Sequence, residues 1–308
     1  MGIGYLYDEM DRYQLNDKIK ITGPDSVWDD EEIWLHNLAE DMETDSKIDL
    51  YDVHMYPTIE QIMNGEMQQR IQMQRRIVGD KNFYMTEIGM VTGKEDGDSQ
   101  PYVKQYCYGV IMADCAAQIM NGGLSGVAIW DMDDAMHDQD NGFISSDIRS
   151  LKQWGFWNSV AGRLYNEPQE ENLRPHFYTW SLLTHLFPVD CSILNAKECI
   201  WHENGEHASC IVGLRASAMK KVDENGKEDV SVVIVNNSHV PRGVDLQVRG
   251  LELSKRKIYQ YNYFENDRIT DENGFPIKKI SMDHKDLERG IHLELLSGGV
   301  IFLSTICF

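Results

Sequence analysis

The most constraining feature of the sequence is a change of pattern near Pro188. Before it, short apolar runs rich in β-forming residues alternate with longer stretches of helical periodicity, which is typical of βα units around a parallel sheet. The four predicted strands are Lys18–Thr22, Leu50–His54, Phe83–Thr86 and Gly126–Trp130. The predicted helices lie at residues 5–12, about 31–40, 59–78, 103–120 and 174–187.

Breaker residues predict where these elements end. Gly23-Pro24 is expected to end the first strand, because proline cannot donate to a β-ladder. Pro57 closes the second strand, and Asn121-Gly122-Gly123 is a left-handed stop signal for the helix that begins near residue 103.

After Pro188 the pattern changes to short alternating strands, such as Val230–Val235 and Gly299–Leu303. The sequences Asp223-Glu-Asn-Gly226 and Asp271-Glu-Asn-Gly274 predict hairpin turns. The chain is therefore expected to divide into an α/β domain at 1–187 and an all-β sandwich at 188–308.

Polar and aromatic residues at the ends of the predicted strands are the candidate site. In barrels of parallel strands the active site lies at the carboxyl ends of the strands. Glu87 follows the third strand; strand alternation places His54 and Tyr56 on one face of the second. Trp130-Asp131 offers an aromatic plane beside a carboxylate. Asp25 could reach a ligand, but it could equally stabilise the turn or cap a helix.

The four strand ends read, in order, GPDS, DLYDVHMYP, FYMTEIG and GVAIWDMDD. This series resembles strands five to eight of the clan A (β/α)8-barrel glycoside hydrolases, and the later part of the chain is similar to β-xylosidases and related xylan- or arabinan-acting enzymes. The resemblance implies a partial TIM-type barrel, a retaining mechanism on β-linked oligo- or polysaccharide, and no cofactor. It also implies that Glu87 is the nucleophile, that Tyr56 positions it, that Trp130 is the sugar platform, and that His54, Asp131 and Asp25 line the substrate site.

The chain departs from that family in one respect. The family's acid/base glutamate belongs to an Asn-Glu motif after strand four, which would lie before Met1. Asn166-Glu167-Pro168 has the right letters but no apolar strand leading into it, and Glu9 belongs to a predicted outer helix. A truncated product, a second chain that completes the barrel, or a symmetric assembly of two halves would each explain the departure. A non-catalytic carbohydrate-binding or degenerate half-barrel protein is the alternative function.

Charge and composition limit the other functions. With 29 basic and 50 acidic side chains the net charge is −21, a field that repels nucleic acid and anionic membranes. No apolar run is long enough to cross a bilayer and Met1–Met10 lacks the features of a secretory signal, which leaves the compartment open. The six cysteines show no metal-ligand spacing and are predicted to be mostly reduced.

Two further motifs carry less weight. The acidic run Asp131–Gly142 suggests calcium, but it places His137 and Gln139 where an EF-hand loop requires acidic or amide ligands, so no metal is predicted. Trp28, Trp154 and Trp157 follow strand ends and could extend a sugar-binding cleft, although buried loop anchors are equally common.

Overall fold

The computed structural model describes residues 2–27, 32–91, 100–134, 153–164, 166–198, 200–201, 207–208, 211–250 and 257–308. The elements of its first part are α1 (Gly2–Arg12), β1 (Thr22–Val27), α2 (Ile33–Glu40), α3 (Met42–Asp45), β2 (Leu50–Met55), α4 (Ile59–Met63), α5 (Glu66–Val78), β3 (Asn82–Ile88), α6 (Tyr106–Gly122), β4 (Gly126–Ile129), α7 (Ser159–Leu164) and α8 (His176–Leu186).

Strands β1 to β4 form a parallel sheet in sequential order. Each connection passes through at least one helix, as βα units require. The α/β prediction is therefore confirmed. The sheet packs on α2, α4, α5 and α6 around a core that contains Tyr51, Phe83 and Ile111.

The first strand was predicted in the wrong place. It runs from Thr22 to Val27, straight through Gly23-Pro24, instead of ending there. Among the described residues β1 pairs only with β2, and a strand at the edge of a sheet tolerates a proline whose missing donor would face away from the partner. Ile21, which supplied the apolar signal, is buried but lies just before the strand.

The predicted helix at 59–78 is two helices. It breaks at Asn64-Gly65, where Gly65 adopts a φ of 74°, a conformation that favours glycine. The helix predicted at 103–120 begins at Tyr106, after a 3₁₀ turn at Pro101–Lys104, and ends as expected with Gly123 in a left-handed conformation.

The second part is an antiparallel β region. Its elements are β5 (Ser192–Leu194), β6 (Ile200–Trp201), β7 (His207–Ala208), β8 (Leu214–Val222), β9 (Glu228–Asn236), β10 (Arg242–Leu246), β11 (Lys257–Tyr263), β12 (Ile280–Asp283), α9 (His284–Arg289), β13 (Ile291–Leu295) and β14 (Gly299–Ser304). Six strands form one sheet in the order β12-β11-β14-β9-β8-β5, and β10 pairs with β13.

Both predicted turns are present in this region. Gly226 N–H bonds the carbonyl of Asp223 between β8 and β9, and Gly274 N–H bonds that of Asp271. Apolar residues of β10 and β13 share a core with apolar residues of β9 and β14.

The α/β part and the antiparallel region share a third core, in which α6 and α8 pack against β9, β11 and β14. The Tyr106 hydroxyl donates to the carbonyl of Gly298 at 2.6 Å across this junction. None of the described helices is long and apolar enough to cross a membrane.

Candidate active site at the strand ends

The register of the parallel sheet brings the candidate residues to one edge. His54 pairs with Val27 on one side and with Glu87 on the other, while Ile88 pairs with Ile129. Because the strands are parallel and in register, their carboxyl ends lie together.

Glu87 is held by two neighbouring side chains. The Tyr56 hydroxyl donates a hydrogen bond to Glu87 Oε2, and His54 Nδ1 lies 3.2 Å from the same oxygen. The Glu87 side chain keeps 26% of its surface exposed, so a ligand can reach a carboxylate whose orientation is already determined.

His54 lies between two carboxylates. Its Nε2 is 2.7 Å from Asp25 Oδ1, and its side chain is nearly buried whereas that of Asp25 is 70% exposed. Asp25 adopts a φ of 58°, a left-handed conformation that aspartate tolerates better than most residues. The imidazole therefore links the exposed carboxylate of β1 to that of β3.

Asp52 is a buried member of this cluster that the sequence reasoning did not assign. It accepts the N–H of Asp25 at 2.8 Å and contacts the Thr86 hydroxyl at 3.4 Å. Burial, and then the charge of Asp25, raises the pKa of the Asp52 carboxyl. A signal was present, because strand alternation places Asp52 on the same face as His54 and Tyr56.

Trp130 and Asp131 directly follow β4, at the same edge of the sheet. The backbone N–H of Trp130 donates to the carbonyl of Ile88 at 2.9 Å, and Ile88 is the residue directly after Glu87. Burial, and then the charges of Asp134 and Asp133, raises the pKa of Asp131 to about 7. Its Oδ1 is buried with no hydrogen-bond partner among the described residues. The Asp131 carboxyl therefore has a pKa near neutral pH, because burial and neighbouring carboxylates disfavour its charged form.

Trp154 is in aromatic contact with this cluster. Its ring meets that of Tyr56 edge-on, with centroids 5.2 Å apart and an interplanar angle of 70°. It also covers Gly89, where an added Cβ would lie 2.5 Å from Trp154 Cζ3. Trp157 packs on Phe156 instead, and Trp28 lies outside the described residues.

The other predicted features lie elsewhere or only partly within the structure. Residues 135–142 of the acidic run are outside the described residues, and within the described part no group of three His, Cys, Asp or Glu side chains could hold a metal ion. Glu9 pairs with Arg12 on α1 at 3.2 Å. Glu167 precedes a 3₁₀ turn at Pro168–Glu171 and accepts from Gln169.

Comparison with known proteins finds similarity in structure only. No family model matches the chain, and no curated protein matches its sequence. Among solved structures it is similar to a GH30 endoxylanase from Clostridium papyrosolvens C71, with 12% identity, a TM-score of 0.56, and coverage of 97% of this chain and 60% of that one.

Two other solved structures are similar to this chain to about the same degree. The catalytic domain of GH30 xylanase C from Talaromyces cellulolyticus has a TM-score of 0.57 and 13% identity over 98% of this chain and 55% of that one. A GH51 α-L-arabinofuranosidase from Thermotoga petrophila RKU-1 has a TM-score of 0.57 and 12% identity over 99% and 62%. The chain spans about 60% of the length of these neighbours. These neighbours are TIM-barrel glycoside hydrolases of clan A, and the likeness of this chain to them is one of fold.

Proposed function

We propose that this chain carries the nucleophile part of a retaining glycoside hydrolase active site, with Glu87 as the nucleophile. The observation that carries the proposal is the placement of Glu87 Oε2, which receives the Tyr56 hydroxyl and lies 3.2 Å from His54 Nδ1 at the carboxyl edge of the parallel sheet. The similarity in fold to a xylanase and an α-L-arabinofuranosidase supports a carbohydrate substrate.

The proposed chemistry is a double displacement. The Glu87 carboxylate attacks the anomeric carbon while the glycosidic oxygen leaves, which forms a covalent glycosyl-enzyme; water then releases the sugar and restores the carboxylate. Tyr56 and His54 hold Glu87 for attack, and Trp130, Asp131 and Asp25 line the sugar subsite. A second carboxyl group must protonate the leaving oxygen and later activate water.

We further propose that β1 to β4 correspond to strands five to eight of a TIM-type barrel, with a β-sandwich domain from about residue 188. The acid/base carboxyl would then come from strands that these four do not supply. Exposed apolar side chains near β1, including Val27 and Ile33, suit a sheet edge that further βα units cover. A second chain, or a second copy of this one, could supply them.

The proposal is tested with a substrate that needs no acid. A dinitrophenyl 2-deoxy-2-fluoro-β-xyloside has a leaving group that departs without protonation, and its fluorine slows release of the covalent intermediate. We expect one equivalent of dinitrophenolate and a mass increase on the peptide that contains Glu87. Glu87→Gln should remain unlabelled, and the matched control Glu9→Gln on α1 should label normally.

The outcomes separate two functions. Labelling at Glu87 supports the glycosidase proposal, and labelling at another residue overturns the assignment of the nucleophile. Binding of xylo-oligosaccharide without any labelling supports the alternative, a non-catalytic carbohydrate-binding protein, and overturns the catalytic proposal.

A further inference from the structure

An aspartate and an arginine hold the loop that carries Trp154. Asp134 Oδ1 accepts the backbone N–H groups of Trp154 and Gly155 at 3.0 and 2.8 Å. Arg174 Nη1 donates to the carbonyl of Gly155 at 2.7 Å, and the backbone N–H of Arg174 donates to the carbonyl of Phe156 at 2.8 Å. Both Asp134 and Arg174 therefore make hydrogen bonds to the backbone around Trp154.

The pair itself is short, buried and two-pronged. Arg174 Nη1 and Nη2 lie 2.7 and 2.6 Å from the two oxygens of Asp134, and the side chains are 5% and 0% exposed. Asn158 Nδ2 adds a bond of 2.9 Å to Asp134 Oδ2. Two parallel charge-assisted bonds determine orientation as well as distance, because the guanidinium fork matches the carboxylate.

The segment that carries Trp154 is connected to Glu87 through the contact between the rings of Trp154 and Tyr56. Trp154 is buried between Tyr56, whose ring it meets at 5.2 Å, and Gly89. Tyr56 in turn donates to Glu87. The contacts thus run without a gap from Arg174 and Asp134 through Trp154 to the phenol that binds the carboxylate.

We propose that Asp134 and Arg174 are positioning residues for Glu87. They keep Trp154 against Tyr56, which leaves the phenol one orientation, toward Glu87. The effect on catalysis rests on the proposed function of Glu87, whereas the effect on Tyr56 does not.

The direct test observes Tyr56 in the whole chain. With 3-fluorotyrosine incorporated, the ¹⁹F resonance of Tyr56 is identified by its loss in Tyr56→Phe, and its response to the Glu87 bond is calibrated with Glu87→Gln. We expect Asp134→Asn to shift this resonance and Arg174→Lys, which keeps the charge but not the fork, to shift it less.

A matched control separates positioning from general damage. Asp114 is another fully buried aspartate beside a buried arginine, with Arg215 Nε 3.8 Å away, and Asp114→Asn should leave the Tyr56 resonance in place. Gly89→Ala displaces Trp154 from the opposite side and should shift the Tyr56 resonance with the ion pair intact. If Asp134→Asn fails to fold, Gly89→Ala still tests whether the position of Trp154 controls the Tyr56 resonance.

The second readout is the rate of Glu87 labelling by the fluoroxyloside. A displacement of about 1 Å at a reacting group slows reaction roughly 100-fold, and we expect a loss of that order in Asp134→Asn but not in Asp114→Asn. If wild type takes no label while the Tyr56 resonance responds as described, the positioning role stands and the proposed function is overturned. An unchanged Tyr56 resonance in folded Arg174→Lys and Gly89→Ala would overturn the positioning role.

Discussion

In the described part of the chain an arginine is buried against an aspartate in two places, and the two pairs differ in construction. Beside the candidate site, Arg174 meets Asp134 with two contacts of 2.6–2.7 Å. At the junction of α6 with the antiparallel region, Arg215 lies 3.8 Å from Asp114. Its shorter hydrogen bonds go to backbone carbonyls, among them that of Met63 at 3.0 Å.

The remaining partners of the two aspartates differ as well. Asp134 accepts three further hydrogen bonds from residues 154–158, whereas Asp114 accepts from the amides of Gln118 and Asn237 at 2.9 and 3.3 Å. At Asp114 the effect of burial exceeds the opposing effects of Arg215 and of these hydrogen bonds, and it raises the pKa of the carboxyl to about 6. One pair holds a loop by charge, and the other joins two layers through a carboxyl that can take up a proton.

The largest expected effect is that of removing the arginine from the tight pair. Arg174→Met leaves Asp134 buried without a counter-charge, which costs about 3–5 kcal/mol of unfolding free energy. Arg215→Met should cost less, because Asp114 can be neutralised by a proton. Urea unfolding at pH 7 measures both, and equal losses would remove the distinction between the pairs.

A smaller effect is the pH dependence that Asp114 introduces. Its pKa rises from 3.8 to about 6 in the folded chain, so the protonated carboxyl stabilises the fold below about pH 4, and this stabilisation is lost as the pH rises through about 6. The whole contribution is about 3 kcal/mol. Between pH 5 and 7.5 the unfolding free energy of wild type should fall by about 1 kcal/mol relative to Asp114→Asn. Parallel pH profiles would show that Asp114 stays charged.

The smallest effect isolates the placement of Arg215. Gly65 has a φ of 74°, and an added Cβ would lie 2.7 Å from Arg215 Nη2; Gly226 has the same φ with open space around it. Each alanine strains the backbone by about 1 kcal/mol, but Gly65→Ala should cost up to about 1 kcal/mol more because Arg215 must shift. Thermal unfolding compares the two variants, and identical losses would show that Arg215 adapts freely.

Much of the candidate site could be predicted from sequence. Glu87, His54 and Tyr56 were found because strand alternation and breaker residues locate the end of a buried strand. Asp25 was predicted as a residue that could equally serve the turn, and the structure places it against His54 at 2.7 Å. Asp52 was equally accessible to this reasoning, since a carboxylate within an apolar strand is unusual.

The errors arose where pairing decides the outcome. The position of β1 depends on its lying at an edge of the described sheet, which no local signal reports. The contact of Trp154 with Tyr56 was not predicted, because it is made across nearly one hundred residues of chain.

By itself the sequence determined the two patterns of secondary structure and the chemistry at the strand ends, because alternation, periodicity and turn residues act over a few positions. Only the tertiary structure decided that Asp134 and Arg174 meet, that their pairing holds Trp154 against Tyr56, and that burial raises the pKa of the Asp114 carboxyl. Those properties depend on desolvation and on contacts between distant segments, which exist only once the layers have packed.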